Sequence, residues 1–354
     1  MAQRTSKLAI VSTLLLGAAA LWPAVRAHLG PPSGQVAREP AQSLERPWPF
    51  GPSAFRIAVL PDTQHYSRNW PQHFRNQTRW ALRESRRQSN PIIGALNLGD
   101  ITDNNSTVQW QTAMSALSLW FGRLPFALTI GNHDLSEGGT AVDRKTQFDT
   151  FLPPSRFSNL LETFEAGKAE NSLHRFLTPT GQPVLILMLE FGPRDAVLTW
   201  AADALSRYES APTLVATHAY LFMDNTRLHP GHEHHPRSYG VGQPPNPYAN
   251  DGEEIWSKLI STTDSIFLVM NGHQLGTGLG HLVSPNRQGH SVYQLLSNYQ
   301  MRGEGGDGYL RVLEFQPNPR KILVTTYSPS LKQELREPEQ SLEIDWNSGA
   351  LRVH

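Results

Sequence analysis

Cysteine is absent from the 354-residue chain. That excludes disulfides, thiolate metal sites and cysteine nucleophiles. Any metal must be held by His, Asp, Glu, Asn, Gln or backbone oxygens. A surplus of either charge is also missing, since 31 Lys and Arg balance 31 Asp and Glu. A broad nucleic-acid footprint needs a basic excess, so no nucleic-acid partner is indicated. A full membrane-spanning run is lacking too. The apolar stretch Leu8 to Leu21 has about 14 residues, short of the ~20 a spanning helix needs.

That stretch follows Arg4 and Lys7 and precedes the small-residue site Val25-Arg26-Ala27. The pattern is that of a signal peptide over 1–27, cleaved after Ala27, and it predicts a secreted or periplasmic protein. An uncleaved anchor is the alternative. Residues 28–53 are Pro-rich, with Trp48 and Phe50 the main apolar content, and read as a linker. A folded domain is expected over 54–329 and a loose, charged C-terminal tail over 330–354.

The domain opens with apolar runs separated by helical patterns. Phe55 to Leu60, Ile92 to Leu98 and Leu124 to Ile130 read as strands. A helix is expected between the first two, with Asn69 as its cap and Pro71 in its first turn. Trp110, Met114, Leu117 and Phe121 recur at a helical period between the second and third, and are read as core. Three strand–helix repeats in a row predict parallel strands in an α/β sheet. Residues 135–170 read as loop and helix. Further strands are expected at 172–177, 184–190, 213–217, 265–270, 291–296, 309–315 and 321–326, the last three consecutive and antiparallel. Residues 224–250 form a long irregular insertion with His229, His232, His234 and His235, read either as a substrate-facing or auxiliary metal loop or as an exposed flexible loop. No internal repeat is visible.

Strand ends carry the chemistry. Asp62, Asp100, Asn132 with His133, His218 and His273 each follow a separate apolar run. One such residue is commonly a turn or cap. Five in sheet order suit a divalent metal pair, with Mn, Fe, Zn or similar ions favoured by mixed oxygen and imidazole donors. Such a pair can clamp an in-line displacement.

Asp62-x-Gln64, Gly99-Asp100-x-x-Asp103, Gly131-Asn132-His133-Asp134, the lone His218 and Gly272-His273 resemble the ordered motifs of the calcineurin-like metallophosphoesterases. The likeness covers roughly residues 54–328. It implies a four-layer α/β/β/α sandwich of two mixed sheets and a metal-dependent phosphomonoesterase or phosphodiesterase with a metal-bound hydroxide as nucleophile. In that family Asp100 would bridge two ions, Asp62 would hold the first, and Asn132, His218 and His273 would complete the second. His133 would meet charge developing at phosphorus or the leaving oxygen, and Asp134 would be structural. Two positions depart from the family pattern, which has His where Gln64 and Leu275 stand. Gln64 can still offer a carbonyl oxygen to the first metal; Leu275 cannot bind anything; the adjacent His65 is a substitute to consider. The Asp-Thr-Gln motif, with Tyr299-Gln300, Gly305 to Arg311 and Tyr327-Ser328-Pro329, is similar to an exported bacterial subgroup. The expected partner is a phosphoester substrate. A degenerate binding protein and a one-metal enzyme are the rival readings.

Overall fold

The computed structural model describes residues 46–208 and 211–354. The expected signal peptide and most of the expected linker lie outside the described residues.

The first half alternates strand and helix as the repeats predict. It runs β1 (Phe55–Leu60), α1 (Gln64–Arg68), α2 (Pro71–Glu84), β2 (Ile92–Asn97), α3 (Thr107–Leu117), β3 (Phe126–Leu128) and α4 (Phe148–Phe151). Then follow β4 (Leu160–Thr163), β5 (Ser172–Leu177), β6 (Pro183–Leu189), α5 (Asp195–Ser206), β7 (Thr213–Thr217), α6 (Gly252–Lys258) and β8 (Ile266–Asn271). The chain ends with β9 (Leu279–Pro285), β10 (Ser291–Ser297), β11 (Leu310–Pro317), β12 (Arg320–Ser328), β13 (Gln333–Leu335), β14 (Leu342–Asp345) and β15 (Ala350–Val353).

These strands form two mixed sheets. One has the order β15-β14-β12-β11-β1-β2-β3, with β13 also on β12, and the other β4-β5-β6-β7-β8-β10-β9. Strands β1, β2 and β3 are mutually parallel, as are β6, β7, β8 and β10. Side chains alternate across each sheet, and both faces are buried. Ile57 and Val59 of β1 face Ile186 and Met188 of β6 in a core between the sheets. Ala58 and Leu60 point the other way, under Phe74, Trp80, Trp110 and Trp120 of the helical layer. Leu185 and Leu187 likewise turn outward to Val197, Leu198 and Ile255 of α5 and α6. Three cores separate four layers, so the expected α/β/β/α sandwich is what the chain forms.

Several local expectations differ. The segment 330–354 is not loose. Leu342, Ile344 and Trp346 are buried at alternate positions, while Lys321 and Arg352 neutralise Glu343 between them. The period of two is real but too short to stand out among charges. Trp346 packs edge-on to Trp48 and Phe50 and donates to Arg46 O at 2.8 Å. The end of the expected linker is therefore core. Strand β4 falls where loop and helix were expected, and β9 in a stretch to which no element was assigned. β10 does not continue antiparallel into β11: it lies in the other sheet, parallel to β8.

Candidate metal centre

Ligands of α/β sheets gather beyond the carboxyl ends of parallel strands. Here both sheets present such ends along one edge. Asp62 follows β1, Asp100 follows β2, Asn132 follows β3, His218 follows β7 and His273 follows β8. All five are buried, as is Gln64 at the start of α1. Donor atoms of Asp62, Asp100 and His218 lie within 4.8 Å of one another, a group able to hold a metal ion.

Close backbone approach makes this possible. A Cβ on Gly131 would sit 2.0 Å from Asp100 Oδ1, and one on Gly272 would sit 2.0 Å from Asp62 Oδ1. No side chain fits at either place, which gives the Gly-Asn-His-Asp and Gly-His motifs their glycines. Asp100 and His273 themselves take left-handed backbone, with φ of 46° and 73°. Asp134 is buried beneath and ties the turns together. Its carboxylate accepts from Gly131 N (3.0 Å), Ile101 N (3.0 Å), Thr102 N (2.8 Å) and Thr102 Oγ1 (2.8 Å).

Imidazole tautomers follow from carbonyl partners. His218 Nδ1 donates to Leu98 O at 2.7 Å. In the neutral ring that leaves Nε2 with the lone pair, 3.2 Å from Asp100 Oδ2 but not aligned for a hydrogen bond. His273 Nε2 donates to His234 O at 2.7 Å, leaving Nδ1 with the lone pair. The rings of His218 and His273 meet edge to face, centroids 4.9 Å apart. His133 receives the same treatment: Nδ1 donates to Asp103 O at 2.7 Å, and its backbone N–H donates to Asp100 Oδ1 at 3.0 Å.

Crowding and burial shift the protonation of these groups in opposite directions. Burial works against a charged His218, yet Asp100 and Asp62 outweigh it and raise the imidazole to about 9. Asp100 is equally buried, but His218 and His133 hold its carboxyl well below the usual range. Burial pushes Asp62 the other way, to about 7. Burial and the neighbouring His218 depress His273 to about 3. His133 is raised, because Asp100 and the Asp103 carbonyl overcome its partial burial.

The donor set fits a metal. The carbonyl oxygens Gln64 Oε1 and Asn132 Oδ1 and the nitrogen His218 Nε2 are buried and have no hydrogen-bond partner. Buried polar atoms are ordinarily satisfied, and three unsatisfied acceptors beside two carboxylates are what a cation would complete. Leu275 begins a turn closed by Gly278 N to Leu275 O at 3.0 Å and offers no donor. His65 leans on Trp70, ring centroids 6.4 Å apart.

Three contributors escape sequence reading. Asn298, just past β10, donates to Asp62 Oδ2 at 2.9 Å. It too follows an apolar strand, so the signal existed. The His234 carbonyl has no sequence signature at all. Tyr239, from the same insertion, stands edge-on to Phe191 and 6.0 Å from the His273 ring. Burial and the charge of Asp100 push its phenol up to about 12. The insertion is thus not a free loop: His235 and Arg237 pair with Asp251 at 3.0 and 2.9 Å and hold it on the site.

No protein-family model matches the chain. It is 25% identical over 290 residues to the uncharacterised protein YvnB of Bacillus subtilis. The match takes in 78% of this chain but 20% of that protein, so the chain spans about a fifth of the relative's length. A solved structure of a conserved uncharacterised protein from Streptococcus pneumoniae, described as a predicted phosphoesterase, aligns over 83% of this chain and 98% of that one. The TM-score is 0.33 at 10% identity, a likeness too slight to carry functional weight.

Proposed function

We propose that the protein is an exported, metal-dependent hydrolase of phosphoesters. The observation that carries this reading is the buried group of Asp62, Asp100 and His218, whose donor atoms lie within 4.8 Å of one another, with the unpartnered acceptors Gln64 Oε1 and Asn132 Oδ1 on neighbouring strand ends. Asp62, Gln64, Asp100, Asn132, His218 and His273 would hold divalent ions, two with Asp100 shared. Bound there, the ions would supply positive charge to the phosphoryl oxygens and acidify water.

The chain's own groups supply the rest. His133 is anchored at its backbone N–H and at Nδ1, which leaves Nε2 as the one free position on the ring. Its raised pKa favours the protonated ring. Nε2–H then donates to oxygen that gains charge as the ester bond breaks, and passes its proton to the leaving group. Asp134 keeps the turn in register with Asp100. Tyr239 and the 224–250 insertion wall one side of the site and would bear on substrate choice.

The test is hydrolysis of aryl phosphate and bis-aryl phosphate with added Mn, Fe, Zn or Mg. Asp100→Asn should abolish turnover. His133→Ala should lower it by roughly 10²–10⁴, the usual worth of a positioned acid, with metal content unchanged. Metal bound without turnover on any phosphoester would turn the reading towards a binding protein. Export is checked by the mass of the protein recovered outside the cytoplasm, expected to begin at His28.

A further inference from the structure

The edge that gathers these donors is not chemically even. On the flank reached from β7 and β8 stand two imidazoles, His218 and His273, in edge contact, with Phe191 packed against both. Gly99 and Gly131 press against the same side, a Cβ on Gly99 meeting His218 Nδ1 at 2.6 Å and Gly131 N at 2.9 Å. Asn132 follows directly from that packing. The residues that β1 itself delivers offer oxygen alone: the Asp62 carboxylate, within 4.8 Å of the Asp100 and His218 donors, and, two residues on, the unpartnered Gln64 carbonyl. Leu275 adds nothing, and His65 leans on Trp70.

The one carboxylate on this flank is also partly spent. Asp62 Oδ2 accepts from Asn298 Nδ2 at 2.9 Å and from His273 N at 3.1 Å, and Oδ1 lies 3.3 Å from the same N–H. Each donor draws on the negative charge that a cation would use. A neutral amide oxygen in place of an imidazole shifts preference towards hard ions such as Mg or Mn and away from Zn.

We propose that the centre has one retained and one exchangeable metal position. The imidazole flank (Asn132, His218, His273) with Asp100 keeps its ion. The Asp62–Gln64 flank with Asp100 takes a hard divalent cation weakly and releases it to the medium. Turnover then follows the free concentration of that cation. This rests on the phosphoesterase reading of the same residues.

Metal counting on the full mature chain tests it. Protein loaded with excess Mn and dialysed against metal-free buffer should keep one ion per chain by elemental analysis. Titration with Mn should then restore a second, with affinity weaker by at least ~10-fold, the scale on which ligand support moves metal binding. Gln64→His should bring retention after dialysis close to two ions, and Gln64→Glu should tighten the second ion without favouring Zn. Two ions retained by the wild-type chain, or no change in either Gln64 variant, overturns the inequality alone if phosphoesters are still hydrolysed. No ion bound under any loading overturns the phosphoesterase reading as well.

Discussion

Two polar loops meet at the same edge and are held in place by opposite means. The Gly131–Asp134 turn is fixed locally. Asp134 gathers three backbone N–H groups and one hydroxyl from two neighbouring strand ends. The 224–250 insertion is fixed remotely. Asp251 collects His235 and Arg237, Glu254 takes the other nitrogen of Arg237 at 2.9 Å, and the result seats the His234 carbonyl on His273. The first device is a carboxylate caged by amides, with no cation beside it. The second is an ion-pair network at the start of α6. Short-range anchoring leaves a compact motif in the sequence, whereas long-range anchoring leaves only scattered charges.

Breaking the first device should cost most. Asp134→Ala strands four buried donors, so urea unfolding should show a loss on the order of 4–5 kcal/mol, with metal content and turnover lost together. A loss under ~1 kcal/mol would mean that the turn holds its shape without the carboxylate.

Breaking the second should cost less and act at a distance. Asp251→Asn keeps an N-cap acceptor for Glu254 N but removes the charge that His235 and Arg237 share. A loss of about 2–3 kcal/mol is expected, with reduced metal retention at His273 as the carbonyl of His234 loosens. Unchanged metal content would uncouple the insertion from the site. The same variant has a pH signature. Burial raises the Asp251 carboxyl, but the hydrogen bonds from His235 and the Glu254 N–H and the charge of Arg237 win, so its folded value lies below the usual 3.8. Its stabilisation is therefore complete above pH 3.8 and is lost as pH falls through the folded value. Melting temperature against pH should fall less steeply on the acid side in Asp251→Asn than in the wild type.

The smallest effect sharpens the contrast within the insertion itself. His229 is exposed and His232 stacks on Phe222, ring centroids 4.3 Å apart. His229→Ala should change stability by less than ~0.5 kcal/mol and leave metal content alone, as checked by the same unfolding and elemental measurements. A drop of one ion per chain would make His229 and His232 an auxiliary metal site after all.

Much of the fold was legible because buried parallel strands write themselves as apolar runs. The candidate metal group of Asp62, Asp100 and His218 was legible because each of those runs ends on a ligand-type residue. What was not legible has physical reasons. Asn298 ends a strand like the others but carries no motif of its own, so nothing in the sequence singles it out. The role of His234 belongs to its carbonyl, which every residue has. The insertion's histidines look alike in sequence, and only pairing with Asp251 separates buried His235 from exposed His229. Strands β13 to β15 are short and ringed by charge, so their alternation was hidden until β12 was there for β13 and β14 to pair with, and β14 for β15.

At Asp100 and His273 the chain follows a path that glycine takes freely and that an L side chain resists by roughly 1–2 kcal/mol. A glycine at either place would fold more easily and be chemically blank. Heat-tolerance selection without an activity screen should therefore erode this edge first, and variants recovered that way should be sturdier and inert.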